Sequence, residues 1–413
     1  MGVAYGGLMR REGSKDWLSV SAWFLYRLPY AVIVGVLIGF LVTVITAEGA
    51  STLAGRLGGD YPAFYGAGRI IADGDWENLY NIGRQADEQK PLLGAGKVLY
   101  FAYPPYAALP FGLLAKLEYR WSYLLYTLIL FGALLLALHL LRTLSNYVVN
   151  HYWQLVGWAL LFYPLFKAIG GGQNSSITLL LLVGAWWGVE HDSPYLSGFL
   201  IGLLLYKPHF ALPMIALFLI AGHWRVATAS IVTGFFLYGV GSWMLGEDWL
   251  FQWSDQVLFF ATEDARVNPY QNVSWHGFLS DLFGGGSGVV VAGVICSSIT
   301  AVYLGWSWWQ LRGSDIDLRM ALAVPGVLLI TPHTMYYDAA LILVPLIVLA
   351  DRGTPHMGLR VFLVFVAGIG HYVAPTIGFS TLVFAVLATS WWAVNVLTLR
   401  RSGMMLEGEE NGC

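Results

Sequence analysis

Charged residues and cysteines are scarce in this sequence. Of its 413 residues, 11% are charged and 57% are hydrophobic. A water-soluble fold of this length could not hide so much apolar surface, so the composition indicates an all-α polytopic membrane protein. Only two cysteines occur, Cys296 inside a hydrophobic stretch and Cys413 at the last position, which implies no disulfide framework. A net charge of -3 with scattered basic residues gives no sign of nucleic-acid binding.

Several motifs of well-known chemistries are also missing. The sequence contains no Walker loop, dinucleotide fingerprint, HExxH, CxxC or serine nucleophile elbow, so ATP-driven transport, redox and metalloprotease chemistry lack support. Asp73-Gly74-Asp75 has the DxD pattern of a metal site, but it falls where a helix should end, and a turn is the preferred interpretation. No metal ligands are therefore assigned. No cofactor is required, and a divalent metal ion, although compatible with the chemistry, has no support in the sequence.

Hydrophobic runs separated by short basic clusters predict the topology. Both termini are expected in the cytoplasm, and a single integral-membrane domain covers residues 1–413 with about twelve transmembrane helices. The predicted spans are about 28–45, 120–141, 152–169, 175–190, 195–206, 208–222, 226–245, 287–311, 318–332, 337–350, 360–374 and 376–398. The segment 104–117 has three prolines and is too short to cross, so it should lie at the outer interface.

Two long extracytoplasmic loops follow from this topology, at about 48–119 and 246–286. The first should contain amphipathic helices at about 61–73 and 77–90. Polar residues deep in apolar sequence are costly, and many of them converge on the extracytoplasmic face. They are Asp60, Arg69, Tyr103, Lys116, Gln173, Asn174, Lys207, Asn272, His276, His333, Asp338 and His371.

Asp60 starts the stretch Asp60-Tyr61-Pro62, directly after two glycines. One interpretation is that Asp60 only caps the following helix, in which Pro62 occupies the first turn. The other is that its carboxylate, at a lipid boundary and open to close approach by a substrate, acts as a general base. The two roles are compatible.

Four further connections carry polar groups. Gly170 to Ser176 is either a turn with Asn174 or Ser175 as cap, or a cradle for sugar or phosphate. Lys207 precedes a helix-breaking proline and either snorkels to the interface or meets an anionic headgroup. His333 and Asp338 either form a loop with Asp338 as helix cap or pair to bind a phosphate or an acceptor. The loop around Asn272 and His276 is rich in residue types that contact carbohydrate, and it contains the weak sequon Asn272-Val273-Ser274.

The order of these motifs resembles one family. GGDYPAFYGAGRIIADGD, FAYPPYAALPFGLL, GGGQNSSITLLLL, GLLLYKPHFALP, NPYQNVSWHGFL and TPHTMYYDAAL occur in this sequence in that order. Together they resemble the bacterial polyprenol-phosphate-mannose-dependent mannosyltransferases of glycosyltransferase family 87, which have the GT-C superfold. The resemblance covers roughly residues 25–350. It implies a first extracytoplasmic loop with two juxtamembrane helices and a catalytic Asp.

The resemblance also implies the function and the roles of residues. A sugar, most simply mannose, would pass from a polyprenyl-phosphate donor to a lipid or glycan acceptor at the outer face of the inner (plasma) membrane. Asp60 would be the base of a single inverting displacement. Lys207 and His333 would bind the donor phosphate, and the need for cations at the leaving phosphate adds Arg69 as a further candidate. The expected substrate-binding residues are Tyr65, Tyr103, Gln173, Asn174, Asn272, His276 and Asp338. The alternative is a secondary transporter or flippase for lipid-linked saccharides, which should show internal repeats that are not found in the sequence.

Overall fold

The computed structural model describes residues 13–52, 55–268, 270–313 and 315–401. Cys413, named above, lies outside them. Two short strands, β1 (Ser51–Thr52) and β2 (Gly55–Arg56), pair antiparallel with Ser51 opposite Arg56. The remaining regular structure described is helical. The α-helices are α1 (Gly13–Thr46), α2 (Tyr61–Ala72), α3 (Ile82–Leu93), α4 (Leu109–Leu114), α5 (Tyr119–Leu141), α6 (Asn146–Leu161), α7 (Tyr163–Gly170), α8 (Ser175–Glu190), α9 (Pro194–Leu203), α10 (Pro208–Ile220), α11 (Trp224–Leu245), α12 (Trp249–Val267), α13 (Trp275–Phe283), α14 (Ser287–Gln310), α15 (Ile316–Ile330), α16 (Leu343–Asp351), α17 (Met357–Gly370), α18 (Ala374–Ile377) and α19 (Leu382–Arg401). Single 3-10 segments cover Trp76–Asn78, Pro105–Ala108, Leu204–Tyr206, Tyr336–Ile342 and His371–Val373.

Five helical stretches among the described residues are long and apolar enough to cross a membrane. They are Arg27–Thr46, Tyr119–Leu141, Trp224–Leu245, Ser287–Gln310 and Met357–Ile377. Shorter apolar helices cover Pro105–Leu114, Ser175–Glu190, Pro194–Tyr206, Pro208–Ile220 and Leu382–Thr398. The protein is thus all-α and polytopic, while the number twelve stays a prediction. Pro105–Leu114 spans about 15 Å at 1.5 Å per residue, roughly half of the hydrocarbon core.

Helix α15 lies at the centre of the molecule. Nearly every residue from Ile316 to Leu329 is buried, including the small residues Ala321 and Ala323. A helix that is apolar all round is stable only where other helices surround it, and α14, α16 and α19 pack against this one. The connection that follows α15 is therefore held against a rigid support.

Close packing of α9 against α11 fixes the position of the break between α9 and α10. Gly198 and Gly202 of α9 face α11, where a Cβ on Gly202 would lie 2.4 Å from the Cβ of Thr233. Small residues four apart allow two helices to approach closely in a membrane. After the 3-10 turn Leu204–Tyr206, Pro208 starts α10 and Lys207 is left between the two helices with a φ of −123°.

The two long predicted loops contain more helix than the sequence indicates. In the first loop, α2 lies where the first helix was predicted. The second helix was predicted at 77–90, and its predicted first residue is wrong. Asn81 accepts a hydrogen bond from the backbone N–H of Arg84, so α3 starts at Ile82. In the second predicted loop, α12 runs for 19 residues and α13 for nine.

Candidate active site

A cavity of about 580 Å³ opens between the two long predicted loops. Its walls come from the start of α2, the extended segment 98–104, the α9–α10 break, one side of α12 and the connection after α15. Trp253 of α12 donates a hydrogen bond to the carbonyl of Ala102 at 3.0 Å, and the ring of Phe259 packs edge-on against Tyr100. These contacts fix α12 against the first loop and define one side of the cavity.

Asp60 lies on the cavity wall, and its carboxylate does not cap α2. Although Asp60 occupies the N-cap position, its side chain makes no capping bond. Oδ2 instead accepts a hydrogen bond from Nε2 of Gln173 at 2.8 Å. Oε1 of Gln173 in turn accepts one from the hydroxyl of Tyr103 at 3.4 Å. The Asp60 side chain thus belongs to the cavity lining and not to a helix cap, and its role as a general base stays a prediction.

Backbone contacts between two glycine-rich turns place Gln173 against Asp60. The N–H of Asp60 donates to the carbonyl of Gly171 at 3.0 Å. Gly172 has a φ of +71°, and a Cβ there would lie 2.7 Å from the Cβ of Tyr61. A side chain at this position would be both strained and in collision, so the close approach requires glycine.

Burial raises the pKa of Asp60 above its ordinary value, and the hydrogen bond from Gln173 opposes that rise. The positive charges of Arg56 and Lys167 act in the same direction as Gln173, whereas Asp264 adds to the rise. Desolvation favours the neutral acid and a donated hydrogen bond favours the carboxylate. A carboxyl group with a raised pKa is a stronger base once it is ionised, which suits proton abstraction.

Lys207 is buried and paired with Asp338. The Lys207 ammonium lies 2.7 Å from Oδ1 of Asp338, which also accepts a hydrogen bond from Ser175 at 2.8 Å. Burial and this ion pair exclude a snorkelling Lys207, while its predicted contact with an anionic headgroup stays a prediction. The expected pairing of Asp338 with His333 is wrong, and Asp338 is not a helix cap, because Met335 holds that position.

His333 faces a carboxylate that the sequence analysis missed. Its Nε2 lies 3.8 Å from Oδ2 of Asp264 on α12. Asp264 is 8% exposed and lines the cavity. Trp253, Val257, Phe260 and Asp264 line the same wall at spacings of three and four residues. That helical spacing in a segment interpreted as loop was the available signal.

Some predicted site residues lie away from the cavity lining. The Arg69 side chain pairs with Glu88 at 3.5 Å and Asp73 at 3.9 Å on the outer side of the first loop. The Tyr65 hydroxyl donates to the carbonyl of Leu117. Neither residue lines the cavity.

Three more predicted site residues do not line the cavity, namely Asn174, Asn272 and His276. Asn174 is buried at the start of α8, and its Oδ1 has no hydrogen-bond partner among the described residues. Asn272 joins the two late connections by donating to the carbonyl of Pro332 and accepting from the N–H of Thr334. His276 packs beside Gly293 of α14. Of the predicted residues, the cavity brings together Asp60, Tyr103, Gln173, Lys207, His333 and Asp338.

The Asp73-Gly74-Asp75 turn is occupied by an arginine. Arg84 donates to Asp73 at 2.9 Å and to Asp75 at 2.8 Å, and it also pairs with Glu88. Gly74 has a φ of +76°, as expected for a residue that terminates a helix. Within the described residues, no group of three or more His, Cys, Asp or Glu side chains is arranged to hold a metal ion.

The fold and the cavity define a polytopic membrane protein with one cavity into which several charged side chains project. Residues 101–332 match the model of glycosyltransferase family 87, which is more than half of the chain. The chain belongs to glycosyltransferase family 87. The match includes Tyr103, Gln173, Lys207 and Asp264, while Asp60 and His333 lie outside its bounds.

One curated relative is similar over part of its length. A stretch of 225 residues is 28% identical to a polyprenol-phosphate-mannose-dependent alpha-(1-2)-phosphatidylinositol pentamannoside mannosyltransferase of Mycobacterium tuberculosis (strain CDC 1551 / Oshkosh). The similarity covers 50% of this chain and 49% of the relative, so the chain spans about half the length of the protein that it matches. No solved structure gives a significant match.

Proposed function

We propose that this protein transfers a sugar, most simply mannose, from a polyprenyl-phosphate donor to a hydroxyl group of a lipid or glycan acceptor. The observation that carries the proposal is the position of Asp60, whose carboxylate shares one cavity with Lys207 and His333. The volume of about 580 Å³ falls in the range of small-molecule sites. Membership of a glycosyltransferase family and the donor named for the mycobacterial relative support the same chemistry.

The proposed reaction is a single displacement. The acceptor oxygen attacks the anomeric carbon, the bond from that carbon to the phosphate oxygen breaks, and its electron pair leaves with polyprenyl phosphate. Asp60 takes the proton from the acceptor hydroxyl, and the configuration at the anomeric carbon inverts. Gln173 keeps the Asp60 carboxylate oriented and helps to keep it ionised.

The leaving phosphate gains negative charge as the bond breaks, and cations near it lower the barrier. Lys207 and His333 are the proposed donors to this phosphate, with Lys207 oriented by Asp338. Arg69 has no part in this proposal, because its guanidinium pairs with Glu88 outside the cavity. The leaving polyprenyl phosphate is a phosphate monoester, and the proposal assigns the neutralisation of its developing charge to side chains, without invoking a metal ion.

The sugar would rest against aromatic side chains. Tyr103, Tyr206, Trp253 and Phe260 all line the cavity, and the rings of Tyr103 and Tyr206 stack with centroids 6.2 Å apart. Such rings offer flat apolar faces to a pyranose together with hydroxyl groups at their edges. Both long predicted loops contribute to the cavity, which supports an active site at the outer face of a plasma membrane. In this proposal both termini are cytoplasmic, and about twelve helices cross the membrane in a GT-C arrangement.

The test is sugar transfer by the purified chain in nanodiscs, with radiolabelled polyprenyl-phosphate mannose and a membrane lipid extract as acceptor. We expect Asp60→Asn to lower turnover by about 10²–10⁴-fold while donor binding persists. Asp87→Asn is the matched control, because Asp87 is an exposed carboxylate on α3 of the same loop. Full turnover by Asp60→Asn would show that another group takes the proton. Vectorial movement of the donor across the bilayer without transfer would favour the transporter alternative.

A further inference from the structure

His333 has one ring nitrogen that lacks a hydrogen-bond partner. Nε2 is inaccessible to solvent and makes no hydrogen bond to any described residue, and the Oδ2 atom of Asp264 lies 3.8 Å away. Phe260 packs edge-on against the imidazole at 5.4 Å. The ring is thus held beside a carboxylate, with Nε2 enclosed and unpartnered among the described residues, while the side chain as a whole is 31% exposed and lines the cavity.

Asp264 is itself fixed by its own helix. Its Oδ1 accepts a hydrogen bond from Nδ2 of Asn268 at 2.7 Å, one turn further along. Oδ2 is the oxygen that faces His333. A carboxylate with one oxygen satisfied and the other directed at an imidazole is the usual arrangement for stabilising an imidazolium.

The charge balance of the cavity disfavours an anionic ligand. Four carboxylates line it, from Asp60, Glu263, Asp264 and Asp338. The permanent cations on the lining are Lys207, which is already paired, and Arg266, which is paired with Glu263. With neutral histidines, a phosphodiester would enter a cavity whose carboxylates outnumber its permanent cations.

We propose that binding of the anionic donor is coupled to uptake of one proton by His333, and that Asp264 is the positioning residue that holds the resulting imidazolium toward the donor phosphate. This inference rests on the proposed function, because it names how the same site accepts a polyprenyl-phosphate sugar. The proton comes from solvent, and one N–H bond forms on the imidazole as the phosphate enters.

The surroundings of His333 account for the direction of the coupling. Burial lowers the pKa of His333, while Asp264 and Asp338 act to raise it and Lys207 to lower it. His209, on the same cavity lining, is the other imidazole that faces this group. In the empty site the low pKa keeps His333 neutral at neutral pH. A phosphate anion beside the ring raises the pKa, so binding draws in a proton and becomes weaker as pH rises.

The experiment measures proton uptake directly. Binding of polyprenyl-phosphate mannose to the full chain in nanodiscs, without acceptor, is followed by calorimetry in two buffers of different ionisation enthalpy. The donor is a phosphodiester and does not titrate near neutral pH, so any proton must enter the protein. We expect about one proton per donor at about pH 7.5, and a dissociation constant that rises about tenfold per pH unit above that.

Variants separate the inference from simple structural damage. His333→Gln should bind more weakly and take up no proton, whereas the matched control His209→Gln should keep the uptake. Asp264→Asn should take up the proton only at lower pH, with binding about tenfold weaker at about pH 7.5. A merely structural role for Asp264 would weaken binding equally at all pH values. Thermal unfolding of each variant identifies those that fail to fold.

Two outcomes overturn the inference while leaving the proposed function intact. One is a wild-type protein that binds and transfers without proton uptake. The other is uptake that disappears in His209→Gln and persists in His333→Gln. A wild-type protein that does not bind the donor at all would overturn the proposed function together with the inference.

Discussion

Lys207 and Asp338 form a buried ion pair, with their charged atoms 2.7 Å apart and their side chains 3% and 4% exposed. Ser175 donates to the same oxygen of Asp338. The pair thus joins the α9–α10 break, the start of α8 and the 3-10 segment after α15. Two charges removed from water in this way depend on each other, since either one alone would be left uncompensated.

Breaking this pair from one side should destabilise the protein strongly. We expect Lys207→Met or Asp338→Leu to lower the free energy of unfolding by about 3–5 kcal/mol each. The double variant Lys207→Met/Asp338→Leu should recover most of that loss, because it leaves no unpaired charge. Denaturant unfolding of the detergent-purified proteins gives the coupling energy. Lys167→Met, at an exposed position on α7, is the control; additive losses in the double variant would show that the pair is not coupled.

The helical architecture could be predicted from the sequence because hydrophobic runs and proline breaks are local signals. The start of α2 before Pro62 and the break at Pro208 both follow from proline geometry. Helix α12 was missed because its apolar inner stripe shares the segment with Glu263, Asp264 and Arg266, which reduce mean hydropathy. Helical spacing, and not composition, carries the information there.

The membership of the site could be predicted only in part. Asp60, Gln173 and Lys207 interrupt apolar sequence, and the cost of placing polar groups there pointed to a shared face. The sequence could not predict which charged residues pair, because Asp338 and Lys207 are 131 positions apart in the chain. Arg69 was predicted as a further cation for the leaving phosphate, but nine residues of helix separate it from Asp60 by about 13 Å.

Gln173 should act through Asp60 and not through direct binding. In Gln173→Leu the donated hydrogen bond is lost, so the pKa of Asp60 rises further and less of it is ionised at low pH. We expect kcat/KM to fall more at low pH than at high pH, by about threefold or more in the ratio, with the acidic limb of its pH profile moved to higher pH. Gln271→Leu removes another amide of the lining and should lower kcat/KM without moving the limb. If the acidic limb of the pH profile does not move in Gln173→Leu, Gln173 does not act through Asp60.

Gly172 should not tolerate even a methyl group. Gly172→Ala would place its Cβ 2.7 Å from the Cβ of Tyr61 at a φ of +71°. We expect a loss of about 1–3 kcal/mol in unfolding free energy and a larger loss of transfer activity, since Gln173 would move from Asp60. Gly170→Ala is the matched control, because a Cβ there has nothing within 4 Å. Equal behaviour of the two variants would show that the contact between the turns does not position the site.

Substitutions of Arg69 and of Lys207 should have very different effects on the KM for the donor. The Arg69 side chain is 40% exposed and pairs with Glu88 and Asp73, and surface pairs of this kind contribute about 0–1 kcal/mol. We therefore expect Arg69→Ala to change the KM for the donor by less than about twofold. Lys207→Gln should raise it by about tenfold or more, because the ammonium is a buried permanent cation on the cavity lining and the proposed donor to the phosphate. Steady-state transfer at varied donor concentration measures both. If Arg69→Ala instead raises the donor KM as much as Lys207→Gln, then α2 must turn toward the cavity when the donor binds, and the contacts of Arg69 with Glu88 would belong to the empty state alone.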